Sequence, residues 1–121
     1  MNVFDASALL AFLQGEEGAD MVERHLEEGG ACGTANWSEV AQKVMAHGRD
    51  WPLARALLMS YDLHLDPVGI ADADTAAALW RAGSGLSLGD RLCLALGQRL
   101  NATVWTADAA WGSGGSVRQI R

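Results

Sequence analysis

The 121-residue chain is poor in the residues that mark secreted, membrane-bound or disordered proteins. It has two cysteines, two prolines and a single lysine, Lys43. Cys32 and Cys93 are isolated in apolar surroundings and match no metal-ligand spacing, which predicts reduced, partly buried thiols and no disulfide framework. No stretch reaches the roughly 18 apolar residues of a membrane span. The N-terminus lacks a basic region leading into an apolar stretch and a cleavage site, so the cytoplasm is the expected compartment. Half of the residues are hydrophobic. That content, with no internal repeat and no low-complexity linker, predicts one folded domain over residues 1–121.

Positive charge is also scarce, and it is unevenly placed. The formal net charge is −6, which argues against a phosphate-backbone partner. Residues 1–80 carry thirteen acids against four Lys or Arg, whereas residues 81–121 carry two acids against five Arg. An anionic substrate would have to be held by the C-terminal arginines and by a metal cation.

The hydrophobic pattern alternates between strands and helices. Val3 and Phe4 form an opening strand, and Ala8 to Gln14 a short helix that ends at Gly15. Glu16 to Glu28 predicts a second helix, and Ala31 to Gly33 a brief buried strand. A third helix, capped by Thr34 or Asn36, runs to about His47-Gly48 with Trp37, Val40, Ala41, Val44 and Met45 in its apolar stripe. Asp50 opens a helix with Pro52 in its first turn, ending at Met59. Leu63 to Val68 predicts a strand and Asp72 to Arg81 a helix. Ser87 caps a helix over Leu88 to Leu100, Ala102 to Trp105 forms a strand, and Val117 to Ile120 a last short one. This order predicts an α/β fold, a mostly parallel sheet covered by helices on both faces.

Four acids are placed to meet. Asp5 and Asp108 follow directly on predicted strands, so a parallel sheet puts both at its carboxyl-end rim. Ser7 lies two residues after Asp5, and Thr106 two before Asp108. Glu39 and Asp90 stand in the first turns of helices that begin on the same rim. Each acid also has an ordinary use. Glu39 and Asp90 sit where a capping-box acid would sit, Asp5 could be a helix N-cap, and Asp108 could start a turn. Ordinary capping gives no reason for all four to share one rim. Carboxylates gathered without an interleaved Lys or Arg repel one another, and a hard divalent cation such as Mg²⁺ or Mn²⁺ relieves that repulsion. Such a site suits a phosphodiester substrate attacked by a metal-activated water.

The segments MNVFDASALLAFL, TANWSEV, LSLGDRLCLALG and VWTADAAW, in this order, resemble those of PIN domains, and more closely of VapC-type toxins of bacterial toxin–antitoxin pairs. The resemblance implies a three-layer α/β/α sandwich with four or five strands, and a Mg²⁺- or Mn²⁺-dependent endoribonuclease that cleaves RNA. Carried over by position, it makes Asp5, Glu39, Asp90 and Asp108 the catalytic acids, with Asp5, Asp90 and Asp108 holding metal. Ser7 and Thr106 become supporting hydroxyls. It further implies a homodimer and a cognate antitoxin, with no organic cofactor. Trp111 matches an aromatic found after the last acid.

The remaining residues carry weaker expectations. His25, His47 and His64 share no ligand spacing and are not placed near the rim. Asp72 and Asp74 read as helix-start acids, and Arg91, next to Asp90, as the better phosphate contact than Arg99. Trp37, Trp51, Trp80 and Trp105 fall within apolar patterns and are expected in the core or at a dimer contact. Two other functions are open to the same residues. One is a non-catalytic binding module, and the other is a phosphatase or phosphotransfer domain with Asp5 as nucleophile. The latter normally wants a second Asp two residues on, where this chain has Ser7.

Overall fold

A computed structural model describes residues 1–121. Its centre is a parallel sheet of five strands, β1 (Asn2–Phe4), β2 (Gly30–Gly33), β3 (Leu63–Asp66), β4 (Thr103–Thr106) and β5 (Val117–Gln119), in the order β3-β2-β1-β4-β5. The helices are α1 (Ala6–Gln14), α2 (Ala19–Glu28), α3 (Thr34–Ala46), α4 (Trp51–Met59), α5 (Ile70–Ala78) and α6 (Leu88–Leu100), with a 3₁₀ turn at Ala109–Trp111. This is the α/β sandwich expected. Strand order reverses between β1 and β4, which are paired with Phe4 opposite Trp105. Ligands of open parallel sheets bind at such a switch point, beyond the carboxyl ends of the strands.

Alternation along β1 divides the core. Phe4 joins Leu9, Val22, Leu26, Val40 and Leu58 under α1 to α4. Val3 packs on the opposite face with Ala31, Cys93, Leu96 and Val104 under α6. Fully burying side chains such as Phe4, Leu9, Leu26 and Leu58 stabilises the fold by about 1.5–3 kcal/mol each. Gly97 lets α6 approach β4 closely, because a Cβ there would overlap the Val104 side chain.

Several boundaries differ from those expected. Helix α2 begins at Ala19, not Glu16, because Gly18 takes φ 94° and lies against Ile120, whose carbonyl oxygen would stand 2.7 Å from a Cβ. The N-cap of α3 is Gly33, which puts Thr34 and Asn36 inside the helix. Helix α5 starts earlier, after Gly69, and ends at Ala78. Its end is held by Arg81, which donates to the carbonyls of Ala78 and Trp80. Asp72 stands in the first turn of α5, as expected, and is also a buried ion-pair partner: Arg99 donates to both its oxygens, at 2.8 and 3.0 Å, and to Asp66 at 2.6 Å. Trp37, Trp51 and Trp105 pack against the larger core, whereas Trp80 is exposed.

Candidate active site

Asp5 leaves β1 and becomes the N-cap of α1, which turns its carboxylate inward. It is only 3% exposed. Oδ1 accepts from the Ala8 N–H at 2.7 Å, and Oδ2 accepts from the Thr106 hydroxyl at 2.6 Å. The Ser7 hydroxyl lies 2.8 Å from both oxygens. Ser7 and Thr106 therefore hold the Asp5 carboxylate in place. They also join the two strand ends, since the Ala107 N–H donates to Ser7 Oγ and the Asp108 N–H to Thr106 Oγ1. Burial pushes the Asp5 carboxyl up to about 6. The bonds from Thr106, Ala8 and Ser7 oppose that rise, and the charge of Asp90 adds to it.

Glu39 reaches the rim from α3. Asn36, one turn earlier and 2% exposed, donates from Nδ2 to Glu39 Oε1 and to the Gly89 carbonyl, both at 3.1 Å. This ties α3 to the first turn of α6. Position 89 must be glycine for the contact to exist, because a Cβ would overlap the Glu39 carboxylate. Asp90 follows at once. It closes a capping box, with Ser87 N–H donating to Asp90 Oδ2 at 2.9 Å and Asp90 N–H to Ser87 Oγ at 3.1 Å. Beneath these acids lie the buried thiols of Cys32 and Cys93. Burial raises both thiols, and the charge of Asp5 adds to the rise.

Asp108 joins less directly. Its Oδ1 accepts from the Ala110 N–H and starts the 3₁₀ turn, so the turn-starting role is real. It reaches Asp5 through Thr106. Arg91 faces α5, where it donates to the Ala76 carbonyl at 2.8 Å. No three His, Cys, Asp or Glu side chains stand close enough together to hold a metal ion. Asp90 and Asp108 each turn one oxygen back to a local N–H instead.

The donor set nevertheless suits a hard divalent cation. It offers only oxygen ligands, includes a buried carboxylate raised by its surroundings, and has beside it the buried Asn36 Oδ1, which has no partner. Asn36 and Gly89 were not singled out from sequence as site residues. The available signal was the Asn at the third position before Glu39 in TANWSE, which fits a cap equally well. His47 is a correction. Together with Lys43 it lines a cleft beside Ser7 and Asp108 at the rim. The apolar stripe of α3 gave no indication of where its charged face points.

A parallel sheet with a buried acid at its switch point defines an α/β domain whose ligands bind beyond the carboxyl ends of the strands. The PIN domain profile matches residues 3–113, and the chain belongs to that family. It is similar in fold to a chain of a solved structure described as a toxin-antitoxin complex from Klebsiella pneumoniae. The two are 19% identical, the TM-score is 0.78, and the match covers 100% of this chain and 98% of that one. No curated protein matches.

Proposed function

We propose that the protein is a divalent-metal-dependent endoribonuclease that acts in the cytoplasm as the toxin of a toxin–antitoxin pair. The observation that carries this reading is the buried Asp5 carboxylate at the switch point, held by Ser7, Thr106 and the Ala8 N–H, with Glu39 tied through Asn36 to the first turn of the helix that carries Asp90. Family membership supports a nuclease, and the toxin-antitoxin setting of the structural relative supports the biological role. No helix is long and apolar enough to cross a membrane.

Asp5 and Asp90 would hold the cation, with Asp108 completing the acidic set and Mg²⁺ or Mn²⁺ as the ion. When bound, the cation supplies an acidified water and charge stabilisation at the phosphate. The chain itself supplies orientation. Ser7 and Thr106 fix the Asp5 carboxylate, and Asn36 fixes Glu39 over Gly89. The second oxygens of Glu39 and Asp108, which have no protein donor, would accept a proton from that water. Burial of Asp5 and the three donors on its oxygens argue against its use as a nucleophile, which disfavours the phosphotransfer reading.

A homodimer with an antitoxin partner completes the proposal. Trp80 and Leu88, each 58% exposed near the joint of α5 and α6, offer apolar surface for a second copy. Incubation of the protein with total RNA tests the activity: cleavage is expected with Mg²⁺ or Mn²⁺ and absent in excess chelator. Asp5→Asn and Asp90→Asn should abolish both cleavage and growth arrest on expression. Full activity in either variant overturns the proposal. The non-catalytic reading is favoured by the absence of a ready three-ligand cluster. Metal binding by calorimetry with every RNA left intact would establish it.

A further inference from the structure

The cations that the charge balance places in the C-terminal third are mostly occupied. Arg99 is held by Asp66 and Asp72, Arg91 by the Ala76 carbonyl, and Arg81 and Arg118 by carbonyls near their own positions in the chain. A cleft of about 340 Å³ opens beside the acids, and its polar walls are Ser7, Gln14, Lys43, His47 and Arg121 with the acids Glu16 and Asp108. Lys43, the only lysine of the chain, donates to no protein group. Arg121 donates one N–H to the Glu17 carbonyl at 3.1 Å and meets Glu16 only at 3.9 Å, both on the surface, where such a pair is weak. Ser7 on the cleft wall is bonded to Asp5, so the cleft leads to the acids through one side chain.

His47 adds a different donor pattern. Its Nδ1 lies 2.7 Å from the Lys43 carbonyl, which can only accept, so Nδ1 donates there and Nε2 is the ring nitrogen left free for a ligand. A free ring nitrogen beside two cations suits a ribose-phosphate, whose 2′-hydroxyl both donates and accepts and can meet Nε2 while the phosphate meets Lys43 and Arg121.

We infer that this cleft is the subsite for the RNA nucleotide next to the scissile phosphodiester, with Lys43 and Arg121 on its phosphate and His47 on its 2′-hydroxyl. The inference rests on the ribonuclease reading, deepens it, and is separately testable. The protein carrying Asp5→Asn, in which the amide oxygen can still cap α1, is titrated with fluorescent single-stranded RNA and with DNA of the same sequence. Adding Lys43→Gln and Arg121→Gln should weaken RNA binding at least about tenfold. It should also reduce the dependence of log Kd on log salt by about 0.7, the value for one neutralised phosphate on a single strand. Arg55→Gln, which removes one exposed charge outside the cleft, should leave binding within about twofold. His47→Ala should bring RNA and DNA affinities together.

Unchanged affinity and salt slope in the double variant overturn the phosphate assignment, as does an absence of RNA binding by the Asp5→Asn parent. An unchanged RNA-to-DNA ratio in His47→Ala overturns the 2′-hydroxyl assignment. Cleavage of RNA by the unmodified protein is read separately. If it cleaves while the double variant binds normally, the nuclease stands and the subsite falls. If no metal supports cleavage while the binding losses occur as expected, the subsite stands and the nuclease falls.

Discussion

Asp5 should make the metal-free protein less stable as the pH rises through the acid range. Its carboxyl is raised from the ordinary 3.8 to about 6, chiefly by burial. Between those values the folded protein keeps a proton that the unfolded chain has lost. The stability contributed by this group is therefore fully present below pH 3.8 and is lost as the pH passes 6. The whole difference corresponds to about 3 kcal/mol, and the part falling between pH 4.5 and 7.5 to about 2 kcal/mol. Other carboxylates titrate in the same range, so the informative quantity is the difference between the unmodified protein and Asp5→Asn, which cannot titrate at this position. Urea unfolding in chelator across that range should show Asp5→Asn gaining about 2 kcal/mol on the unmodified protein as the pH rises. A cation on Asp5 reverses the balance, since it favours the ionised form. Millimolar Mg²⁺ at pH 7.5 should raise the unfolding midpoint of the unmodified protein and leave that of Asp5→Asn in place. A pH-independent difference between the two proteins would refute the account of Asp5 as a carboxylate held in a desolvated site.

Three further substitutions test the surroundings. Thr106→Val keeps the buried shape but removes the donor to Asp5 and the acceptor for the Asp108 N–H. It should cost about 1–3 kcal/mol in denaturant unfolding and move the pH midpoint of metal-dependent cleavage upward, because the Thr106 bond is the largest influence holding Asp5 down. Gly89→Ala displaces the flexible end of Glu39, so thermal unfolding should show stability unchanged or up to about 1 kcal/mol higher from helix propensity, with cleavage reduced. Gly97→Ala drives a Cβ into the branched, buried Val104, and a loss of about 1–3 kcal/mol is expected by urea titration.

The parts of the structure that depend on local chemistry were legible in the sequence. Ser87 and Asp90 have capping-box spacing and form that box, and Asp5 after an apolar pair at the start of the chain is a strand-end acid at the switch point. Features that depend on a distant partner were not legible. Gly18 delays α2 because Ile120, a hundred residues later, occupies the space beside it. Asp72 is buried because Arg99, two helices' worth of chain away, reaches it. Lys43 and His47 border the rim in a cleft whose other walls come from distant parts of the chain, Ser7, Asp108 and Arg121, which the hydrophobic stripe of α3 does not encode.

The ordinary and chemical roles of the acids, set against each other at the level of sequence, are compatible in the structure. A carboxylate has two oxygens and about four lone-pair sites. Asp90 closes its capping box with Oδ2 alone, and Asp108 starts its turn with Oδ1 alone, which leaves the second oxygen of each without a protein donor. Glu39 likewise takes the Asn36 amide on Oε1. Each local bond fixes a carboxylate whose other oxygen remains available, so capping positions Asp90 and Asp108, and the Asn36 amide positions Glu39, for the proposed cation. Asp5 differs, since both of its oxygens accept from the protein and its side chain is buried. The acid with the least freedom to move is thus the one whose ionisation is most disfavoured. Its charge is the one a cation would stabilise most, so under the proposed function Asp5 is the residue at which metal binding, protonation and folding stability would be coupled.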